Sequence, residues 1–227
     1  MIDSTIAPLP PDAPWIVLKF GGTSVASVER WRTIVDLAAA RRAEGARVLV
    51  VVSALAGVTD ALKALCACAP GERATPLEDL HECHRALLAR MELPRCDGME
   101  RWLESLGALL VEAGVDSGPS PRGRYSWQAQ IQAHGELLSS ALGADFMSAN
   151  GLRTEWLDAR EVLPAREVPF ANERSRVLSA QVDAQHDPAF AARLDPRGEV
   201  FITQGFIGRD ANGNTVLLGR GGSDTSA

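Results

Sequence analysis

A lysine followed by paired glycines and two hydroxyls, Lys19-Phe20-Gly21-Gly22-Thr23-Ser24, is the first cluster in the chain whose residue types suit chemistry on an anion. Glycines let backbone N–H groups close on a phosphate, and a helix start behind them adds a favourable field. Lys19 supplies a point charge for such a group; as bare structure, the same residues make a turn with a lysine reaching into solvent. A second cluster, Ser53 with Gly57-Val58-Thr59, offers hydroxyls to a polar pocket or, more simply, an N-cap at Thr59. The third is Leu218-Gly219-Arg220-Gly221-Gly222-Ser223-Asp224, whose glycines could cradle an anion while Arg220 grips a carboxylate through two hydrogen bonds. The fourth is Gly135-Glu136 inside a helical pattern. A glycine there costs roughly 1 kcal/mol against alanine, offset if it allows close packing or ligand approach. Glu136 on its own reads as a surface charge.

Neither common nucleotide device is present. Asp224 occupies the place where G-x-G-x-x-G needs its last glycine, and no G-x-x-x-x-G-K-[ST] stretch occurs. His81-Glu82-Cys83-His84 fits no common zinc spacing and reads as a solvated helix face, so no metal ligands are assigned. Cys66, Cys68, Cys83 and Cys96 form no C-x-x-C pair, which points to reduced thiols in a cytoplasmic protein. A net charge of −6 argues against a nucleic-acid partner, and no apolar run is long enough for a signal peptide or a membrane span.

The elements that must position these clusters follow from hydrophobic period. WIVLKF at 15–20 and RVLVVV at 47–52 read as buried strands, and between them Val25, Val28, Arg32, Val35, Ala38, Ala39 and Arg42 mark a helical stripe that Gly45 ends. That order makes a βαβ unit and predicts a parallel sheet. Helices are expected over 60–69, 77–91, 99–114 and 126–150, the last with Ile131, Leu137, Leu138, Ala141, Leu142 and Phe146 in the core; residues 115–123 read as a loop. Strands are expected over 152–157 and 199–204, followed by a hairpin around Asn212-Gly213. The proline-bearing residues 1–14 read as a loose, disordered tail, and 15–227 as one domain.

VLKFGGTSV at 17–25, VVVSALAGVTD at 50–60, HGE at 134–136 and FITQGFIGRDANGNTVLLGRGGSDTSA at 201–227 together resemble the aspartate kinase branch of the amino-acid kinase family. The resemblance spans nearly the whole chain, and the pairing of KFGGTS with LGRGGSD is its specific part. It implies an α/β fold, a three-layer αβα sandwich around a mostly parallel sheet, cut short at the C-terminus before the family's nucleotide pocket is complete. The implied activity is transfer of the γ-phosphoryl group of ATP, with Mg²⁺, to the side-chain carboxylate of L-aspartate, opening lysine, threonine and methionine biosynthesis. The resemblance also implies a homo-oligomer for the full-length protein. Lys19 would contact the transferring phosphates, Gly21 and Gly22 would donate backbone N–H groups to them, and Thr23 and Ser24 would line the same loop. Gly221 and Gly222 would join the phosphate region. Ser53 and Thr59 would border the substrate, Glu136 would face its amino group, and Arg220 with Ser223 would hold a carboxylate. Asp224 would organise Lys19 and the phosphoryl group. Two other readings stay open at this point: a non-catalytic fragment or regulatory subunit that binds aspartate or phosphate, and a sibling kinase with another carboxylate substrate.

Overall fold

The structure, a computed structural model, describes residues 9–10, 12–115, 121–183, 194 and 199–219. Four strands, β1 (Trp15–Phe20), β2 (Arg47–Val52), β3 (Glu155–Leu157) and β4 (Val200–Gln204), form one sheet in the order β1-β2-β4-β3. Every pairing in it is parallel, with Trp15 opposite Arg47 and Val48 opposite Val200. β5 (Ile207–Arg209) and β6 (Thr215–Leu217) make the expected antiparallel hairpin, with Gly213 at φ 84° in its turn. The fold is therefore α/β around a mostly parallel sheet, as the sequence implies.

Alternation along the strands divides the core. Leu18, Phe20, Val48, Val50, Val52, Val200 and Ile202 face a thick helical layer. Trp15, Leu49, Leu157 and Phe201 face the other way, where Val162 and Leu194 pack on them. Among the described residues that second face is the more open one, and Val17 is 39% exposed.

The helical layer begins with α1 (Val28–Ala43), capped by Ser27 and ended by Gly45 at φ 91°. Its inward stripe is Val28, Trp31, Ile34, Val35 and Ala38. Arg32, expected on that stripe, is exposed, and Arg42 is buried because it donates from Nε to Glu199 at 2.6 Å. Within the segment read as a tail, the Leu9 amide donates to the same carboxylate and Ala13 is buried. α2 (Val58–Ala67), α3 (Ala74–Arg90) and α4 (Asp97–Val115) follow. α5 (Pro121–Ala149) starts five residues earlier than the expected position 126, because Pro121 suits a first helical turn. α6 (Ala159–Val162) and α7 (Glu173–Leu178) are short.

α5 is the central helix. Residues 131–144 are all buried, so the helix is covered around its whole circumference rather than along one stripe, polar residues included. Gly143 shows how close its neighbours come: an added Cβ would lie 2.2 Å from a ring atom of Trp31 and 2.8 Å from Ile202. Trp31 is fully buried, and its indole N–H donates to Val25 at 2.9 Å. Gly143→Ala is expected to destabilise the fold by about 2 kcal/mol despite alanine's better helix propensity. A urea midpoint equal to that of the unaltered chain would show that Trp31 yields freely.

Candidate functional site

The carboxyl ends of β1, β2 and β4 lie side by side, and the ladder runs one residue past them. The Ser53 amide donates to Phe20 at 3.1 Å and the Gly205 amide to Val52 at 2.8 Å. Lys19-Phe20-Gly21, Ser53 and Gly205 thus share the end of an open parallel sheet, where such folds bind ligands.

Lys19 is exposed and, by alternation, faces away from the core that takes Leu18 and Phe20. Gly21 is extended (φ −78°), and a 3-10 turn, Gly22–Val25, follows it directly. The helical stripe expected from Val25 starts instead at Val28, because this turn takes in Val25; it is closed by the Ser24 amide donating to Gly21 at 2.8 Å. The glycines serve different ends. Among the described residues a Cβ on Gly21 would meet nothing within 4 Å, whereas one on Gly22 would lie 2.7 Å from the Ala54 carbonyl oxygen. Gly22 is needed so that the 21–24 loop can lie against the 54–56 backbone. Thr23 is exposed and Ser24 half-buried in the same turn.

Thr59 is not an N-cap. Gly57, at φ 84°, caps α2, and Thr59 is the second helical residue, half-buried in the first turn. Gly135 explains its own cost: an added Cβ would lie 2.7 Å from the Ala54 Cβ and within 3.4 Å of Leu62 and Val58. It lets α5 press against the 53–58 loop.

Glu136 follows Gly135 and is not a surface charge; it is 3% exposed. Its Oε1 accepts the Ala54 N–H at 3.1 Å, while its buried Oε2 has no hydrogen-bond partner among the described residues. Burial pushes its carboxyl up to about 8, against the opposing pull of the Ala54 amide. A buried acceptor left empty costs roughly 1–3 kcal/mol, and a cationic N–H donor would recover it. His134, two residues earlier, is tied up structurally. Its Nδ1–H donates to Gln130 at 2.8 Å, its edge meets Trp102, and burial lowers its pKa to about 4, so it is neutral.

The far rim is built by the β4–β5 junction. Phe206 adopts φ 62°, unusual for a side chain of its size, and the Ile207 amide donates to Gly205 at 2.7 Å. The Leu218 amide donates to Phe206 at 2.7 Å, so the hairpin returns the chain to the same sheet end just before Gly219. Arg220, Gly221, Gly222, Ser223 and Asp224 lie outside the described residues.

Elsewhere, His84 in the HECH stretch is buried rather than solvated, with Nδ1 donating to Leu80 at 2.8 Å, and burial holds its pKa down. Among the described residues no group of three His, Cys, Asp or Glu could hold a metal ion. No described helix is long and apolar enough to cross a membrane. A groove bordered by Trp102, Ala141, Trp156 and Asp158 shares no residue with the glycine loops.

Sequence reasoning missed the Ala54 backbone amide, Ser139 and Gln204 as parts of this region. Gln204 is buried; it accepts the Ala159 amide at 2.8 Å and donates to the Ser140 hydroxyl at 2.7 Å. The available signal was the spacing of Glu136, Ser139 and Ser140, polar residues three and four apart among the core positions Leu137, Leu138, Ala141 and Leu142.

Residues 14–227 match the model of the Amino acid kinase family. The chain belongs to that family. It is similar to the lysine-sensitive aspartokinase 3 of Escherichia coli K12, 34% identical over 218 residues that make up 93% of this chain and 45% of that protein. It is also similar to the aspartokinase of Chlamydia muridarum, 31% identical over 93% of this chain and 44% of that protein. The structure of E. coli aspartokinase III in complex with aspartate and ADP superposes with a TM-score of 0.73 at 31% identity, covering 93% of this chain and 44% of that one. The chain spans about half the length of the curated relatives it matches. In this amino acid kinase the Ala54 backbone joins the two parts of the site, since it abuts Gly22 of the glycine turn and donates to the buried Glu136.

Proposed function

We propose that this chain carries the acceptor and phosphate side of an aspartate kinase, which moves the γ-phosphoryl group of ATP to the side-chain carboxylate of L-aspartate and yields 4-phospho-L-aspartate. The observation that carries this reading is the buried Oε2 of Glu136, without a hydrogen-bond partner among the described residues, on a carboxylate bound to the same Ala54 backbone that the Gly22 turn abuts at a parallel sheet's end. It is supported by the likeness to a protein solved with aspartate and ADP bound.

An ionised acceptor carboxylate is already nucleophilic at neutral pH, so no general base is needed. The obstacle is repulsion between an anion and a polyphosphate, and catalysis is then positioning and charge stabilisation. Lys19 places a positive charge against the transferring oxygens, and the Gly21 and Gly22 amides donate to them, with Thr23 and Ser24 alongside. Mg²⁺, when bound with ATP, neutralises phosphate charge; the oxygen-rich Thr23–Ser24 turn suits a hard cation that keeps phosphate and water ligands. Glu136 takes the α-ammonium of aspartate, Ser53 and Thr59 border the substrate, and Arg220 with Ser223 takes a carboxylate. Asp224 orients Lys19, and Gly221 and Gly222 complete the phosphate region. Residues 15–227 belong to one kinase domain in this reading, and the four free cysteines suit a cytoplasmic setting.

The test is aspartate- and ATP-dependent acyl phosphate, trapped with hydroxylamine, in the full translated protein. Acyl phosphate made from L-aspartate, and not from succinate lacking the ammonium, is the expected result. Equal product from both would point to a sibling kinase, and ligand binding without product to a regulatory role.

A further inference from the structure

The Ser53–Ala54 peptide is held at both of its polar ends by one helix. The Ser139 hydroxyl donates to the Ser53 carbonyl at 2.6 Å, and Glu136, one turn earlier on α5, accepts the Ala54 N–H at 3.1 Å. Ser53 C=O and Ala54 N–H belong to a single planar unit, so the two contacts fix its rotation as well as its position. Ser139 is fully buried, and its oxygen also lies 3.4 Å from the Glu136 carbonyl. The neighbours leave this peptide little room: Gly135 seats α5 against the Ala54 Cβ, and Gly22 abuts the Ala54 carbonyl.

We infer that Ser139 is a positioning residue for the acceptor: it aims Ser53 and the Ala54 amide, and through that amide it fixes which oxygen of Glu136 remains open to a ligand. Ser139 touches no substrate. Without its hydroxyl the peptide keeps only one of its two hydrogen bonds to α5 and can tilt about the Ala54–Glu136 bond within the room its neighbours leave. Glu136 Oε1 then loses its fixed donor, and the open oxygen loses its aim. A misplacement of this kind acts on acceptor binding before it acts on the nucleotide. The inference rests on the aspartate kinase reading.

Ser139→Ala, Ser53→Ala and the double variant would be compared in the full translated protein by steady-state acyl phosphate formation. Ser139→Ala is expected to raise the KM for aspartate about tenfold, with kcat and the KM for ATP within about twofold, the size of one buried hydrogen bond. Because Ser139 acts in part by aiming Ser53, its change is expected to cost less in the Ser53→Ala background than in the unaltered protein, so the two effects are less than additive. Additive effects, or equal losses in both KM values, would overturn the inference while leaving the reaction in place. An unaltered protein that makes no acyl phosphate would instead remove the aspartate kinase reading and this inference with it. Ala54 amide exchange guards against a folding artefact: it should quicken in Ser139→Ala while amides of β2 stay protected, and loss of protection throughout would count against a positioning role.

Discussion

Replacing Glu136 by glutamine is expected to raise the KM for aspartate roughly a hundredfold while the KM for ATP changes little. The amide keeps the shape of the carboxylate and still offers an oxygen to the Ala54 N–H, so the loop contact survives. What disappears is the ability to carry a negative charge at Oε2 once an ammonium meets it, the buried atom without a hydrogen-bond partner among the described residues. A charge-assisted bond to an ammonium is worth roughly 1.5–3 kcal/mol, which corresponds to a tenfold to hundredfold change in binding. The same variant makes a pH prediction. The folded carboxyl titrates at about 8 because burial raises it from 4.5. Below 4.5 the folded and unfolded chains are both protonated. Between 4.5 and 8 the unfolded chain gives up its proton while the folded chain keeps it, so the stability of the unaltered protein falls across that window and levels above it. The full loss is on the order of 5 kcal/mol. The glutamine variant has no such loss, and its urea midpoint should climb relative to the unaltered protein from pH 5 to pH 8. An ammonium at Oε2 favours the ionised form, so aspartate binding near neutral pH should release a proton, visible by calorimetry in buffers of different ionisation heat. Parallel stability profiles would mean that Glu136 is not held neutral by its surroundings.

The strands were legible because a buried strand leaves a plain mark. WIVLKF and RVLVVV are short β-branched or apolar runs that stop at polar or glycine residues, and β1 and β2 occupy the residues expected of them. Gly45 ends α1 where the sequence placed its end, and its positive φ is the reason. The helices were legible in kind and less so in limit, since Pro121 can open a helix as well as break one. Glu136 was misread from its local pattern, because a carboxylate in a helix is ordinarily solvated and nothing within α5 announces that the helix is buried on every side. That burial comes from the preceding α4 on one side and, on the others, from α2 and the hairpin strand β6, which are remote in sequence. The glycines serve different ends: Gly135 gives the close packing its place in the helix allows for, Gly22 lets the turn lie against the Ala54 carbonyl, and a Cβ on Gly21 would meet nothing within 4 Å among the described residues. The two halves of a peptide clamp formed by Ser139 and Glu136 could be seen only once α5 and the 53–54 segment were placed together.

Lys19→Ala is expected to lower kcat for acyl phosphate formation roughly a thousandfold, with folding almost unchanged. The separation of these effects follows from where the residue sits. Lys19 pairs with Val51 in the sheet through its backbone, which the substitution leaves intact, and its side chain is exposed on the face away from the main core. Exposed positions of this kind change stability by about 0.5 kcal/mol or less. In the proposed reaction, by contrast, the side chain meets charge that grows as the phosphoryl group moves, and removing one such donor costs on the order of a hundredfold to a thousandfold. Arginine is not expected to restore the rate, because a planar fork does not reproduce a compact point charge on a flexible stem. Gly22→Ala provides the contrast. Its new Cβ would meet the Ala54 carbonyl oxygen at 2.7 Å, so the turn and the 54–56 backbone must part, and both urea midpoint and activity should fall. If Lys19→Ala instead lowers the midpoint as far as Gly22→Ala does, the lysine is a structural residue of the turn. If it keeps both midpoint and rate, the phosphoryl group is stabilised from another side of the site, and the role proposed for this strand end is wrong.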